Sequence, residues 1–268
     1  MSERTGSTVH DAAGEALVAT SMDVKVALVR SARAAWLAGD LSVGEGGPVL
    51  GPWERGRPAR PELVEPRALR TRSLRTPEGH VAAIHAVAHI EANAVDLAVD
   101  AVHRFRDLPP AFHDDWLRVA EEEAHHFELL RERLQALGAE YGDLPAHGRL
   151  WDACAATAED ALARMALVPR VLEARGLDVT PSMRQRFADA GDHASAAVLD
   201  VILRDEVGHV AVGDRWFRWL CAERGVEPEP TFARILADAG VTVRPPLNTE
   251  ARLAAGFGRA ELESLTGR

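Results

Sequence analysis

Two motifs of the same form set the tightest constraint on this chain. Glu123-Ala124-His125-His126 and Glu206-Val207-Gly208-His209 each place a histidine three residues after a glutamate. On a helix such residues share a face, about 5–6 Å apart at Cβ, so each pair can grip one ion. One motif alone is weak, because a chain with 11 histidines supplies about one by chance. The spacing adds more. Glu91 precedes Glu123 by 32 residues, and Glu173 precedes Glu206 by 33. The chain therefore reads as two halves of the form Glu…ExxH. Two-metal helical bundles need this set, one Glu from each of two helices and one ExxH from each of the others. The expected ligands are Glu91, Glu123, His126, Glu173, Glu206 and His209. Four carboxylates and two imidazoles suit iron or manganese and are poor for a structural zinc.

The residue before each ExxH glutamate is also acidic, Glu122 and Asp205. At that position a carboxylate can accept the remaining imidazole N–H of a ligand histidine and fix its tautomer. The alternative for both acids is exposure to solvent. Glu122 with His125 competes with Glu123 and His126 for the first motif. Glu159 competes with Glu173, but it lies 47 residues before Glu206 and breaks the symmetry. The bland reading of the whole set is a bundle whose inward acids pair with arginine. Burying four carboxylates without cations is costly.

Helical periodicity and stop signals place these residues on four long helices, at about 78–105, 112–137, 150–175 and 193–224. Gly138, Gly176 and Gly225 stand just past three of the ends. Thr180-Pro181 reads as the start of a further short helix. Pro169 should kink the third long helix. Inside the second ExxH, Gly208 leaves room either for dioxygen or a substrate or for close helix packing. No segment shows the alternation a strand requires, so the expected class is all-α. Residues 1–77 read as an N-terminal helical segment followed by an arm rich in Pro, Gly and Arg. Residues 78–225 form the bundle, and 226–268 a tail with short helices. The arm carries Arg55, Arg57, Arg60, Arg67, Arg70, Arg72 and Arg75, expected to bridge to an acidic body.

Acids outnumber bases by 41 to 31 in 268 residues, a net charge of −10. That argues against a general nucleic-acid coat or a basic membrane-surface protein. Cys154 and Cys221 match no disulfide or zinc spacing and are expected as reduced thiols. Met1 to Arg4 is polar, and no stretch approaches the ~20 apolar residues of a membrane span. The expected location is cytoplasmic. The one tyrosine, Tyr141, falls in a loop, which argues against a tyrosyl-radical cofactor. His85 and His89 point away from Glu91 around the helix and read as packing or orienting histidines. Asp96 and Asp100 are expected to face solvent or the arm arginines.

His89-Ile90-Glu91, the run Glu122–Phe127, Glu173–Asp178 and Asp205–Val210 together resemble the DUF455 family. Arg72–Gly79, Trp216–Gly225 and Pro246–Phe257 resemble it too, so the likeness spans roughly residues 50–258. The resemblance implies a ferritin-like four-helix bundle with a carboxylate-bridged di-metal centre, usually taken as di-iron. It implies no substrate. More distantly the pattern is similar to tRNA hydroxylases of the ferritin-like superfamily, a likeness of fold alone.

The leading expectation is a di-iron oxidoreductase that activates dioxygen to hydroxylate or oxidise a small molecule or a modified macromolecule. The chain carries no flavin, nicotinamide or iron–sulfur motif, so an external ferredoxin or reductase is the expected electron donor. The second reading is a ferroxidase or dimanganese catalase. The third is a non-catalytic helical module that contacts RNA through Arg55–Arg75.

Overall fold

Thr8 opens the first helix by accepting the Asp11 N–H on its hydroxyl (3.1 Å). The computed structural model describes residues 7–70 and 72–265; the polar start, Met1 to Arg4, lies outside them. Among the described residues the regular elements are helical, beside two isolated bridges, Thr8 with Ser42 and Leu63 with Ala146. No helix there is long and apolar enough to cross a membrane. The chain divides into two compact units, Met1–Ala155 and Ala156–Arg268. The N-terminal segment and arm thus belong with the first long helix pair, and the tail with the second.

The first unit holds α1 (Val9–Val18), α2 (Met22–Ala38), α3 (Pro77–Arg104) and α4 (Pro110–Ala136), with α5 (Arg149–Ala156) at its end. Thr76 caps α3 by accepting the Gly79 N–H, and Pro77 takes the first helical position. A short link, 105–109, turns the chain back, so α3 and α4 pack as an antiparallel pair. Gly138 ends the pair with φ of 78°, a left-handed conformation that costs glycine nothing. The arm is pinned by charge. Arg55 pairs with Asp96 at 2.6 Å and covers the Trp151 ring. Asp96 is also bound by Lys25 of α2. Asp96 and Asp100 are therefore buried in ion pairs rather than facing solvent, Asp100 with Arg104 at 2.7 Å. Among the described residues, salt bridging holds for Arg55 but not for the other arm arginines. There, Arg57 donates to the carbonyls of Pro58 and Pro61. Both cysteines are free and buried.

In the second unit the expected third helix is broken into pieces. After α5 the chain turns at 157–160. It continues as α6 (Ala161–Leu167), a π-helical segment (Val168–Glu173) and α7 (Ala174–Asp189). Gly176 does not end the helix, and Pro181 lies inside α7 rather than at a start. A proline four residues on frees the Leu177 carbonyl of its helical donor. Asn248 Nδ2 supplies the replacement at 3.1 Å. Arg252 grips Asp178 with two bonds, at 2.9 and 2.8 Å, and holds the same turn. Tail contacts thus carry the helix through two stop signals.

Pro169 sits in the π-helical segment, so the expected irregularity is a widened turn that ends on Glu173. Its ring lies against α8 (His193–Glu223), where Gly213 makes room; a Cβ there would fall 2.2 Å from Pro169 Cβ. Arg170 of the same segment is buried among Phe217, Phe232 and Phe257, with ring centroids 4.4, 4.1 and 4.8 Å away. It pairs with Asp214 and with Glu261. Helices α9 (Pro228–Asp238), α10 (Thr249–Ala254) and α11 (Arg259–Leu265) complete the unit.

Gly208 differs from Gly213, for a Cβ at Gly208 meets nothing within 4 Å. Close helix packing is thereby removed as its explanation. G213A is expected to destabilise by about 1–3 kcal/mol, because a proline ring cannot yield. G208A should be neutral or stabilising by about 0.5–1 kcal/mol, since alanine favours a helix interior. Urea denaturation of the two variants checks the contrast.

Candidate metal centre

Helix lengths set the depth of each ligand. Glu91 lies 13 residues before the end of α3 at Arg104, and Glu123 lies 13 residues after the start of α4 at Pro110. At 1.5 Å per residue, both stand about 20 Å from the turn that joins the helices. His126 follows Glu123 by one turn on the same face.

The three side chains meet in the first unit. His126 Nδ1 is 3.4 Å from Glu91 Oε2 and 3.4 Å from Glu123 Oε2. Glu91 and Glu123 present oxygens within 4.8 Å of one another. Glu91 is 2% exposed, and Glu123 and His126 are fully buried. Burial first, and then the charge of Glu123, push the Glu91 carboxyl up to about 8. Burial alone would lower the His126 imidazole, but its bonds to Glu123 and Glu91 outweigh that and push it up to about 12. A proton on His126 thus serves as the local counter-charge to the Glu123 carboxylate. An oxygen, oxygen and nitrogen donor set at this separation could hold a metal ion in place of that proton.

His125 is exposed, so Glu123 and His126 are the inward pair. Glu122 is held by Arg118 at 3.1 Å and is a third exposed. His85 and His89 do pack rather than join the cluster. His89 Nδ1 meets the Tyr141 hydroxyl at 2.9 Å, and His85 Nε2 accepts the Gly142 N–H at 2.9 Å. Tyr141 is the residue that sequence reasoning set aside. It packs edge-on against Phe127, next to His126, with centroids 5.0 Å apart. Its loop neighbours Gly142 and Asp143 gave no sign of this.

In the second unit, Glu206 Oε2 lies 3.8 Å from His209 Nδ1. Glu206 is 7% exposed and His209 is fully buried. Glu173 is buried at the end of the π-helical segment, whereas its rival Glu159 is exposed in the turn before α6. Glu173 lies 16 residues before Asp189, and Glu206 lies 13 after His193. The two stand within about one turn of the same depth. Asp205 binds Arg204 at 2.8 Å.

The family model described as Protein of unknown function (DUF455) matches residues 18–263. A protein of Haemophilus influenzae (strain Rd), described as an uncharacterized protein, is 46% identical over 214 residues. That match covers 77% of this chain and 74% of the relative. No solved structure matches the chain.

Proposed function

The chain belongs to the DUF455 family, and we propose that it is a ferritin-like di-metal oxidoreductase. In this reading Glu91, Glu123 and His126 from one half, and Glu173, Glu206 and His209 from the other, hold two iron ions. Manganese suits the same donors. The observation that carries the reading is the buried cluster of Glu91, Glu123 and His126, in which two carboxylates crowd around one imidazole without solvent. The near-equal spacing of the second half, where Glu206 and His209 are again buried neighbours, supports it.

When bound, the ions would supply the dioxygen and redox chemistry that side chains lack. The side chains bind and orient. The carboxylates neutralise the cations, and the imidazoles give up their protons on binding. Glu122 and Asp205 hold the histidines' second nitrogens and so set ring orientation. Phe127 and Val210, next in the chain to His126 and His209, are themselves buried. Electrons come from an external ferredoxin or reductase.

Anaerobic loading with Fe(II), gel filtration and metal analysis test the reading. About two irons per chain are expected, as the six-ligand pattern requires. Protein that leaves the column without iron or manganese would overturn it.

A further inference from the structure

We propose that a recess on the first unit, between α3, residues 68–70, Arg72 and Leu144-Pro145, binds a small carboxylate with a short apolar body. The recess has a volume of about 240 Å³. One water needs about 10–15 Å³ by this measure, so an organic ligand at the small end of the usual range fits. Its walls are Leu69, Ala82, Ala86, Leu144 and Pro145. Its polar lining is Arg70, Arg72 and His85, with no acidic residue among the lining side chains.

These three groups define the ligand. Arg70 and Arg72 are exposed, and neither makes an ion pair or hydrogen bond among the described residues. Guanidinium groups bind carboxylates through paired N–H donors. His85 is 1% exposed. Its Nε2 accepts the Gly142 N–H, which leaves the ring proton on Nδ1. Burial pushes this imidazole down, so it offers a neutral donor rather than a third cation. One buried N–H, two cations at the rim and apolar walls match an amphiphilic anion. A fully hydrated phosphate would leave the walls unused. The inference stands apart from the metal reading, because none of these residues is a proposed ligand.

The chain's single tyrosine provides the reporter. Tyr141 stacks on His85, with ring centroids 5.5 Å apart. Fluorotyrosine at that one position gives one fluorine NMR signal. Titration with hexanoate should shift it saturably, with an apparent Kd at least about tenfold below that for acetate or hexanol. A86L fills the recess, and R70Q/R72Q removes the charge; Ala86 and both arginines are exposed, so the fold should survive. Each variant should weaken hexanoate by about tenfold or more. The inference is overturned by an unsaturable shift, by acetate or hexanol matching hexanoate, or by either variant binding hexanoate as the wild type does.

Discussion

E123Q is expected to lose the rise in Tm that Fe(II) or Mn(II) confers on the wild type, while its metal-free form stays folded. A ligand held at 100 times its Kd stabilises by about 2.7 kcal/mol. At about 2–4 °C per kcal/mol for a chain of this size, the wild-type rise is about 5–10 °C. Glutamine keeps the volume of Glu123, and His126 still has Glu91 at 3.4 Å. The metal-free cluster therefore keeps a neutral ion pair. What it loses is the second carboxylate of the half-site and the charge needed to hold a divalent ion. H125Q provides the control, because His125 is exposed and should leave the shift unchanged. E122Q should weaken metal affinity by about 10–100-fold if Glu122 orients an imidazole. Scanning calorimetry with and without metal reads all three. A full metal-induced shift in E123Q would show that Glu123 is part of a structural ion cluster and nothing more.

How much of this was legible in the sequence depends on where the determining contacts lie. Helices α3, α4 and α8 were legible, since their signals are local: Pro77 and Pro110 at the starts and glycines past two of the ends. The choice of Glu123 and His126 over Glu122 and His125 followed from aligning the two motifs, and burial agrees with it. The region from 157 to 189 was not legible. Gly176 and Pro181 are locally sound stop signals. They are overridden by Asn248 and Arg252, some 70 residues away in sequence, which supply the missing donor and grip Asp178. Tyr141 lies in a loop as expected, but its contacts were not legible for the same reason, as His85, His89 and Phe127 hold it from two distant helices. Asp96 meets an arm arginine, Arg55, as one of its two expected readings had it, whereas Asp100 pairs with Arg104 one turn away on its own helix.

The chain's single lysine offers the largest expected loss of stability. Lys25 is fully buried in α2. Its ammonium donates to the Leu17 carbonyl at 3.1 Å, to the Gly56 carbonyl at 3.4 Å and to Asp96. All three donors are used, one on the end of α1, one on the arm and one on α3. A compact charge on a flexible stem suits three partners in different directions, whereas the planar fork of arginine suits one carboxylate. Of the arm's arginines, Arg55 meets one carboxylate, that of Asp96, at 2.6 Å. K25M keeps the apolar stem but takes the ammonium from the Gly56 carbonyl and from the Leu17 carbonyl, of which the latter keeps the Gly56 N–H at 3.0 Å. It also halves the counter-charge of Asp96. Breaking a buried pair on one side costs about 3–5 kcal/mol, a large part of the ~5–15 kcal/mol that holds a typical fold. An unfolding free energy from urea titration within about 1 kcal/mol of the wild type would contradict the account. K25M/D96N should recover part of the loss, because the aspartate then no longer needs a second cation. Amine labelling gives an independent reading, since Lys25 should resist modification in the native protein and react only after unfolding.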